Sequence, residues 1–423
     1  MKEVRMKSNI ITLWFAALLS GSTVMAATNE VKLGARQVEN LSLDQALEMA
    51  ESLQPELAEA KALVEAAEGR ARQAGTFPNP EAILGAQQIP FSGDAPNERE
   101  YVAGVGQTVP LSRRLSKARE AELLDREVRA RGLEVKRRNI RKRVHNAFAT
   151  ALYQERAYQA QTEIQVNNGK ALTATKARFE AGDALREDVA RVEMELARAK
   201  VELQRARSLR EQALIALTST IGEPSLSVKS LVGTLDATFE IPALETLAAN
   251  LSAQPEAAHA EADIRARIAR VGVAEAERIP DVKVELLYHR LEASHQNTLD
   301  VGLSIPMPLF NRNQGRLREA RAEAAAAEAR SRMTQNELAT RLRESYLELT
   351  TALATSRTWK SEILARADTL LKGAEARYAA GDISLADILP VRRDWAAVQL
   401  SYLESLRDVM LAWGEVKSLA GPN

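Results

Sequence analysis

The 423-residue sequence contains no cysteine, which excludes disulfides, thiolate metal centres and a lipid carried on a thioether. Any attachment to a membrane must therefore come from the fold itself. There is no surplus of either charge, 57 basic residues standing against 57 acidic ones, so no whole-molecule field argues for nucleic acid or an anionic surface as a partner. Proline is missing from two long windows, 111–223 and 309–389, although the chain holds 14 prolines elsewhere. Four histidines are scattered along the chain. His289 and His295 with Glu292 come nearest to a ligand set, but they lack the spacing of a metal centre, and His145 and His259 read as ordinary helix residues. Gly104 and Gly106 lack the third glycine and the helix start of a dinucleotide fingerprint. With no catalytic constellation, the expectation is a protein that is not an enzyme and carries neither cofactor nor metal.

What the chain does have is a statement made twice. Ala177-Arg178-Phe179-Glu180-Ala181-Gly182-Asp183, followed by Asp188-Val189, recurs as Ala376-Arg377-Tyr378-Ala379-Ala380-Gly381-Asp382, followed by Asp387-Ile388. Gln54-Pro55-Glu56 recurs as Gln254-Pro255-Glu256, and Val109-Pro110 as Ile305-Pro306. Four landmarks that keep order and approximate spacing indicate an internal duplication, with a unit far too long for a solenoid.

The two proline-free windows are rich in Ala, Leu, Glu, Arg and Lys, the residues that favour helix. Apolar positions follow helical spacing, as in Ile140, Val144, Ala147 and Ala151 and in Leu342, Tyr346, Leu349 and Leu353. An unbroken helix from residue 111 to 181 would be on the order of 100 Å long. Each arm then meets a Gly-Asp break with an acidic residue close behind, which reads as a stop, a tight turn and a new start. The breaks are hairpin tips, and Pro390 is expected in the first turn of the second returning helix. Alanines between Ala320 and Ala329 would let helices approach side by side. The basic run Arg131 and Lys136 to Arg143 reads as a solvated helix face, partly open to partner proteins.

Ahead of each arm the period changes to two. Val282, Val284, Leu286 and Tyr288 alternate with Lys283, Glu285 and His289, and Leu299, Val301, Leu303 and Ile305 alternate with Asp300, Gly302 and Ser304. A weaker version spans 81–89 and 101–109, with the turn-rich segment 91–97 between. Each copy thus offers one hairpin of strands with one apolar and one polar face, the length a transmembrane barrel uses. Phe77, Phe91, Tyr101, Tyr288 and Phe310 near the strand ends would suit interfacial girdles. Four strands cannot close, and an open edge in hydrocarbon leaves backbone groups unbonded, so chains must pool their hairpins. The same pattern would equally suit a small β domain in a soluble exported protein. The secretory leader and the length of the arms favour the barrel.

The organisation expected is a signal peptide at 1–26, built from Lys2, Arg5 and Lys7, an apolar run from Ile10 to Leu19 and a small-residue end at Ala26. A first repeat follows at 27–223, with strands near 81–90 and 100–110 and a helical hairpin at 111–223. A mixed connector occupies 224–245. The second repeat at 246–423 has strands near 281–291 and 297–306 and a hairpin at 309–420.

The tips "ARFEAGDALREDV" and "ARYAAGDISLADIL" and the strand exits "QTVPLSRR" and "LSIPMPLFNRNQGRLREA" resemble those of the TolC-like outer membrane efflux family. The similarity covers the whole mature chain. "SLQPELAEA" and "FPNPE" look most like its cation-efflux branch, of CzcC type. The resemblance implies a mainly α fold with a membrane β-barrel part: a homotrimer with a 12-stranded barrel, four strands per chain, continued by a long α-helical periplasmic tube. It implies an outer membrane location extending into the periplasm. The partners implied are outer membrane lipid, a periplasmic membrane-fusion adaptor and an inner-membrane RND pump, with no nucleic acid. Asp188 and Asp387 would form acidic rings at the pore gate, six carboxylates in a trimer. Arg178, Gly182, Asp183, Arg377, Tyr378, Gly381 and Asp382 would form the periplasmic tip where the adaptor docks. Pro390 stands where some relatives carry a further acidic residue. The function implied is a passive conduit in a tripartite system exporting divalent metal cations; the alternatives are export of drugs or other organic substrates by the same architecture, or a periplasmic coiled-coil adaptor. Read from the residues alone, Asp188 and Asp387 could equally complement helix N-termini, and Arg178 and Arg377 helix C-termini.

Overall fold

The computed structural model describes residues 37–89, 98–236, 239 and 241–420. The leader expected at 1–26 and the turn-rich segment 91–97 lie outside them.

Chain order in the first half is β1 (Gln37–Ser42), α1 (Leu43–Leu53), α2 (Pro55–Ala74), β2 (Glu81–Gln87), β3 (Glu100–Val109), α3 (Arg114–Glu180) and α4 (Arg186–Ile221). After β4 (Ser227–Val232) and α5 (Leu244–Ala249), the second half runs α6 (Pro255–Ala276), β5 (Val282–Leu291), β6 (Gln296–Ser304) and α7 (Gln314–Thr358). A π-helical turn at Trp359–Leu364 leads into α8 (Ala365–Ala380), and α9 (Leu385–Leu419) returns. Both arms start later than the proline pattern predicts. Pro306, Pro308 and a left-handed Asn313 (φ 59°) keep residues 305–313 out of helix, and Asn313 instead ties its amide to the carbonyl of Ala274 at 2.9 Å, at the end of α6.

α3 is 67 residues long, about 100 Å at 1.5 Å per residue. Its stability comes from packing, since so long a helix has no single apolar stripe. Ile140, Val144, Phe148 and Leu152 are fully buried against α1, α4 and α9, whereas Val128 packs with Ala262 and Ala266 of α6. The small alanines at these crossings are what let backbones come close. Within the stretch 320–329 only Ala327 is buried.

Three findings depart from the sequence reading. The basic run, still partly exposed to solvent, is also a set of interhelix clasps: Lys136 reaches Glu59 at 2.8 Å, Arg141 reaches Glu51 at 2.9 Å, Lys142 reaches Glu415 at 3.0 Å and Arg143 reaches Glu56 at 2.6 Å. Arg138, at the centre of this run, bonds Glu256 and the Gln254 amide oxygen. One helix therefore grips α1, α2, α6 and α9 through the residues that looked like a free patch. Pro390 lies inside α9, not in its first turn, because Ser384 and Asp387 cap the helix so early that Pro390 falls in the second turn. There its missing N–H leaves the Ala386 carbonyl without the usual i−4 bond. The connector, finally, contributes β4, which pairs in parallel with the unexpected strand β1, Leu41 opposite Leu231; the long sequence gap between the two strands hid the pairing.

The repeated Gln-Pro-Glu landmarks do the same work in both halves. Proline opens α2 and α6 at a position where its absent N–H costs nothing. The Gln54 amide donates to the Thr220 carbonyl at 2.5 Å, and the Gln254 amide to the Leu419 carbonyl at 2.7 Å. Each glutamine thus supplies a partner for an orphan carbonyl at the end of the returning helix. Gln254 is fully buried.

β2, β3, β5 and β6 form one antiparallel sheet in that order. Both of its edges, β2 and β6, are unpaired among the described residues.

Candidate functional site

Two places carry the residues singled out by the sequence: the hairpin tips and the polar face of the sheet. The tips are built alike. At the first, Gly182 adopts φ 84°, its N–H donates to Phe179 at 3.0 Å, and the Asp183 N–H donates to Arg178 at 2.8 Å. At the second, Gly381 also has φ 84°, and the Asp382 N–H donates to Arg377 at 2.9 Å. This is the αL termination that glycine makes possible. Nothing lies within 4 Å of a Cβ added at either glycine, so backbone conformation, not crowding, requires the residue.

Asp188 and Asp387 occupy the third position of α4 and α9. The Asp188 carboxylate accepts the Leu185 N–H at 3.2 Å. The Asp387 carboxylate accepts both the Ser384 N–H at 2.9 Å and the Ser384 hydroxyl at 2.6 Å. The hydroxyl bond, then the backbone bond, with the Arg377 charge nearby, holds the Asp387 carboxyl below its ordinary value. It stays ionised into acid solution, and its contribution to the cap is lost only as pH falls through that depressed value.

The tips are joined to each other. The Arg178 guanidinium lies over the Tyr378 ring, 5.3 Å from its centre. Beneath it Val192, Leu385, Ile388 and Leu389 form a small buried core with Leu172, Ala374 and Tyr378. Glu195, almost buried, binds Arg198 at 3.1 Å on its own helix and Arg393 of α9 at 3.2 Å. Sequence reasoning placed Arg178 and Tyr378 at the tip but missed that they contact each other. Glu195 and Arg393 lie outside the repeated motif and carried no signal. Asp183, Arg377, Gly381 and Asp382 are exposed.

Register fixes the faces of the sheet. Opposed residues share a face, so Glu81, Glu100, Lys283, Glu285, His289 and Asp300 stand together, while Leu84, Val105, Leu286, Leu299, Val301 and Leu303 stand exposed on the other side. Lys283 reaches Glu81 at 2.9 Å and Glu285 at 3.0 Å. It spans β3 to do so, which Gly106 permits, since a Cβ there would sit 3.2 Å from the lysine Cε. His289 bonds Glu100 and lies 3.3 Å from Asp300. His295 sits in the β5–β6 turn with φ 54° and does not join it. Among the described residues no group of three or more His, Asp or Glu could hold a metal ion.

Long helical hairpins bearing an open, two-faced sheet define a class: proteins of the TolC-like channel fold. Solved structures share it across 90% of this chain. The CusC channel superposes with a TM-score of 0.77 at 16% identity over 92% of its own chain, and the MtrE outer membrane channel of Neisseria gonorrhoeae with 0.74 at 18% identity over 89% of its chain. The sequence profile described as "Outer membrane efflux protein" matches residues 46–223 and 246–422, and the chain belongs to that family. Among curated proteins it is 27% identical over 381 residues, 90% of each chain, to the cobalt-zinc-cadmium resistance protein CzcC of Cupriavidus metallidurans. The protein is thus an outer membrane efflux channel extending into the periplasm, and not an enzyme.

Proposed function

We propose that three copies join into a 12-stranded barrel and helical tube, and that this channel serves as the passive outer membrane conduit of a tripartite exporter of divalent metal cations. The observation that carries the reading is the sheet. It has an exposed apolar face and two bare edges, and a lipid-facing edge is tolerated only when another strand closes it. Pairing β6 of one chain with β2 of the next satisfies both edges and turns the polar face inward. That face offers four carboxylates against Lys283 and His289, a balance that favours cations in a pore. Metal cargo is supported by the likeness to the cobalt-zinc-cadmium resistance protein; drugs or other organic substrates are the second reading, since a wide conduit need not select.

In this reading the tips dock a periplasmic adaptor driven by an inner-membrane RND pump. Gly182, Asp183, Arg377, Gly381 and Asp382 offer the exposed surface, and Asp188 and Asp387 add negative charge at the mouth while capping their helices. The Arg178–Tyr378 contact holds the two tips of one chain together and has to be released for them to splay. A strain lacking the gene tests the cargo: zinc, cobalt and cadmium tolerance falls and returns with the wild-type gene, while drug tolerance is unchanged. Unchanged metal tolerance with lost drug tolerance selects the second reading.

A further inference from the structure

The strand exits are a repeated motif that neither the gate, nor the lumen, nor the helix ends use. Below β6 the chain presents Leu309 and Phe310 to solvent, 62% and 91% exposed. The Asn313 tether to α6 folds this loop against the end of α6, and together they frame an open cleft of about 600 Å³ lined by Arg278, Leu309, Phe310, Arg312, Arg318 and Arg321. Arg321 pairs with Glu275 at 3.1 Å. Arg278, Arg312 and Arg318 are exposed and have no carboxylate within ion-pairing distance among the described residues. The loop and the adjoining helix ends thus gather three guanidiniums without a carboxylate partner among the described residues around one cleft that also exposes Leu309 and Phe310. The exit below β3 repeats the pattern more sparsely, with Leu111 exposed and Arg113 and Arg119 unpaired. Gly75 leaves room for the Arg119 stem, since a Cβ there would sit 2.9 Å from its Cδ.

We propose that the cleft below β6 binds the headgroup of an anionic phospholipid of the periplasm-facing leaflet, its phosphodiester held by Arg278, Arg312 and Arg318 and its acyl chains lying along Leu309 and Phe310. This rests on the barrel reading, which puts the strand exits at the boundary between hydrocarbon and periplasm. The exposed apolar residues Leu299, Val301 and Leu303 on the outer face of β6 are followed directly in the chain by exposed Ile305, Met307, Leu309 and Phe310, so the cleft lies next along the chain from the surface that meets acyl chains. Guanidinium groups match phosphate oxygens in paired hydrogen bonds, and basic residues beside an anionic leaflet attract its headgroups. In a chain without cysteine for a thioether lipid, such contacts would fix the height of the barrel in the leaflet.

The test uses the full-length channel purified in a mild non-ionic detergent, with retained lipids counted by native mass spectrometry after adding dioleoyl phosphatidylglycerol or dioleoyl phosphatidylethanolamine. The wild type is expected to retain phosphatidylglycerol in preference, at a ratio on the order of fivefold for each arginine engaged. Arg278→Gln/Arg312→Gln/Arg318→Gln is expected to bring the two lipids within twofold of each other, and the triple lysine variant to give an intermediate ratio. Equal retention of both lipids by the wild type overturns the proposal, as does an unchanged preference in the glutamine variant. Displacement of the lipid by an equal concentration of inorganic phosphate also overturns it, because the cleft would then be a site for a free anion. If the glutamine variant does not assemble, the wild-type and lysine comparisons decide. Heat-modifiable migration of the wild type is scored separately: its absence removes the barrel reading, and its presence without lipid preference removes only this site.

Discussion

Replacing Gly414 by alanine probes a place where helices from the two halves of the chain press closely on each other. Gly414 lies on α9 where it crosses α3, and a Cβ there would stand 2.4 Å from His145 Nδ1, 2.8 Å from His145 Cε1 and 3.0 Å from Asn146 Oδ1. Non-bonded heavy atoms settle at about 3.5 to 4.0 Å, so the helices must separate by roughly 1 Å or the imidazole must leave its place. The ring has little freedom, because the neighbouring turns carry Val144 and Phe148, fully buried with Leu406 and Met410 of α9. Overpacking of this kind costs about 1–3 kcal/mol in each chain. Thermal unfolding in detergent, followed by circular dichroism, would show a lowered midpoint for Gly414→Ala. The reasoning makes a sharper claim through a double-mutant cycle. His145→Ala destabilises the native protein by removing a packed ring, yet in the Gly414→Ala background it makes room for the new methyl. A coupling of about 0.5–3 kcal/mol is expected between contacting residues. Purely additive effects, or an unaltered midpoint for Gly414→Ala alone, would refute the argument.

Three further outcomes follow from the same structure. Gln254→Leu should cost about 2–4 kcal/mol, because it strands the Leu419 carbonyl and one Arg138 N–H in a buried setting; Gln54→Leu, whose one bond is to the Thr220 carbonyl, should cost less in the same unfolding assay, and the reverse order would contradict the role assigned to the buried amide. Arg178→Ala and Tyr378→Ala each remove the ring–guanidinium contact between the tips, worth about 0.5–1 kcal/mol at an exposed site. Planar-bilayer recordings should show more frequent opening in both variants, with no added effect in the double variant. Burial pushes the His145 imidazole below 6.5, against the hydrogen bond with Asn146 that raises it, and the Lys417 charge adds to the lowering. The unfolded chain then binds a proton that the folded one refuses, so stability present above pH 6.5 is lost as pH falls below it; His145→Gln should flatten that part of the stability profile.

The helical arms, the hairpins and the tips were legible because each rests on a local signal: absent proline, a two- or 3.6-residue period, and a glycine that only an αL turn explains. The polar and apolar faces of β5 were readable residue by residue for the same reason. What stayed hidden depends on partners far apart in sequence. β1 is six residues with a mixed pattern and becomes a strand only by pairing with β4, which lies nearly two hundred residues away. The basic run 136–143 carries no sign that its acidic partners stand on four other helices, so charge alone suggested solvent. The π turn at Trp359–Leu364 was also invisible. Buried Val144 and Leu342 are 198 residues apart while Gly182 and Gly381 are 199 apart, so the second arm holds one more residue than the first between these landmarks, and a wider helical turn absorbs it. The Gln-Pro-Glu pairs were noticed as landmarks, yet the amide's task of closing the returning helix is settled only when that helix end is in place.

The central claim, that neighbouring copies close the sheet by joining β6 to β2, is open to direct measurement because the chain has no native cysteine to interfere. Gly85→Cys on β2 is combined in turn with Gln296→Cys, Thr298→Cys or Asp300→Cys on the same face of β6, and the outer membrane is oxidised before non-reducing electrophoresis. The account predicts that at least one pair yields a covalent ladder that stops at three chains and collapses on reduction. Cross-linking confined within single chains, no cross-linking in any pair, or a ladder running past three would contradict it.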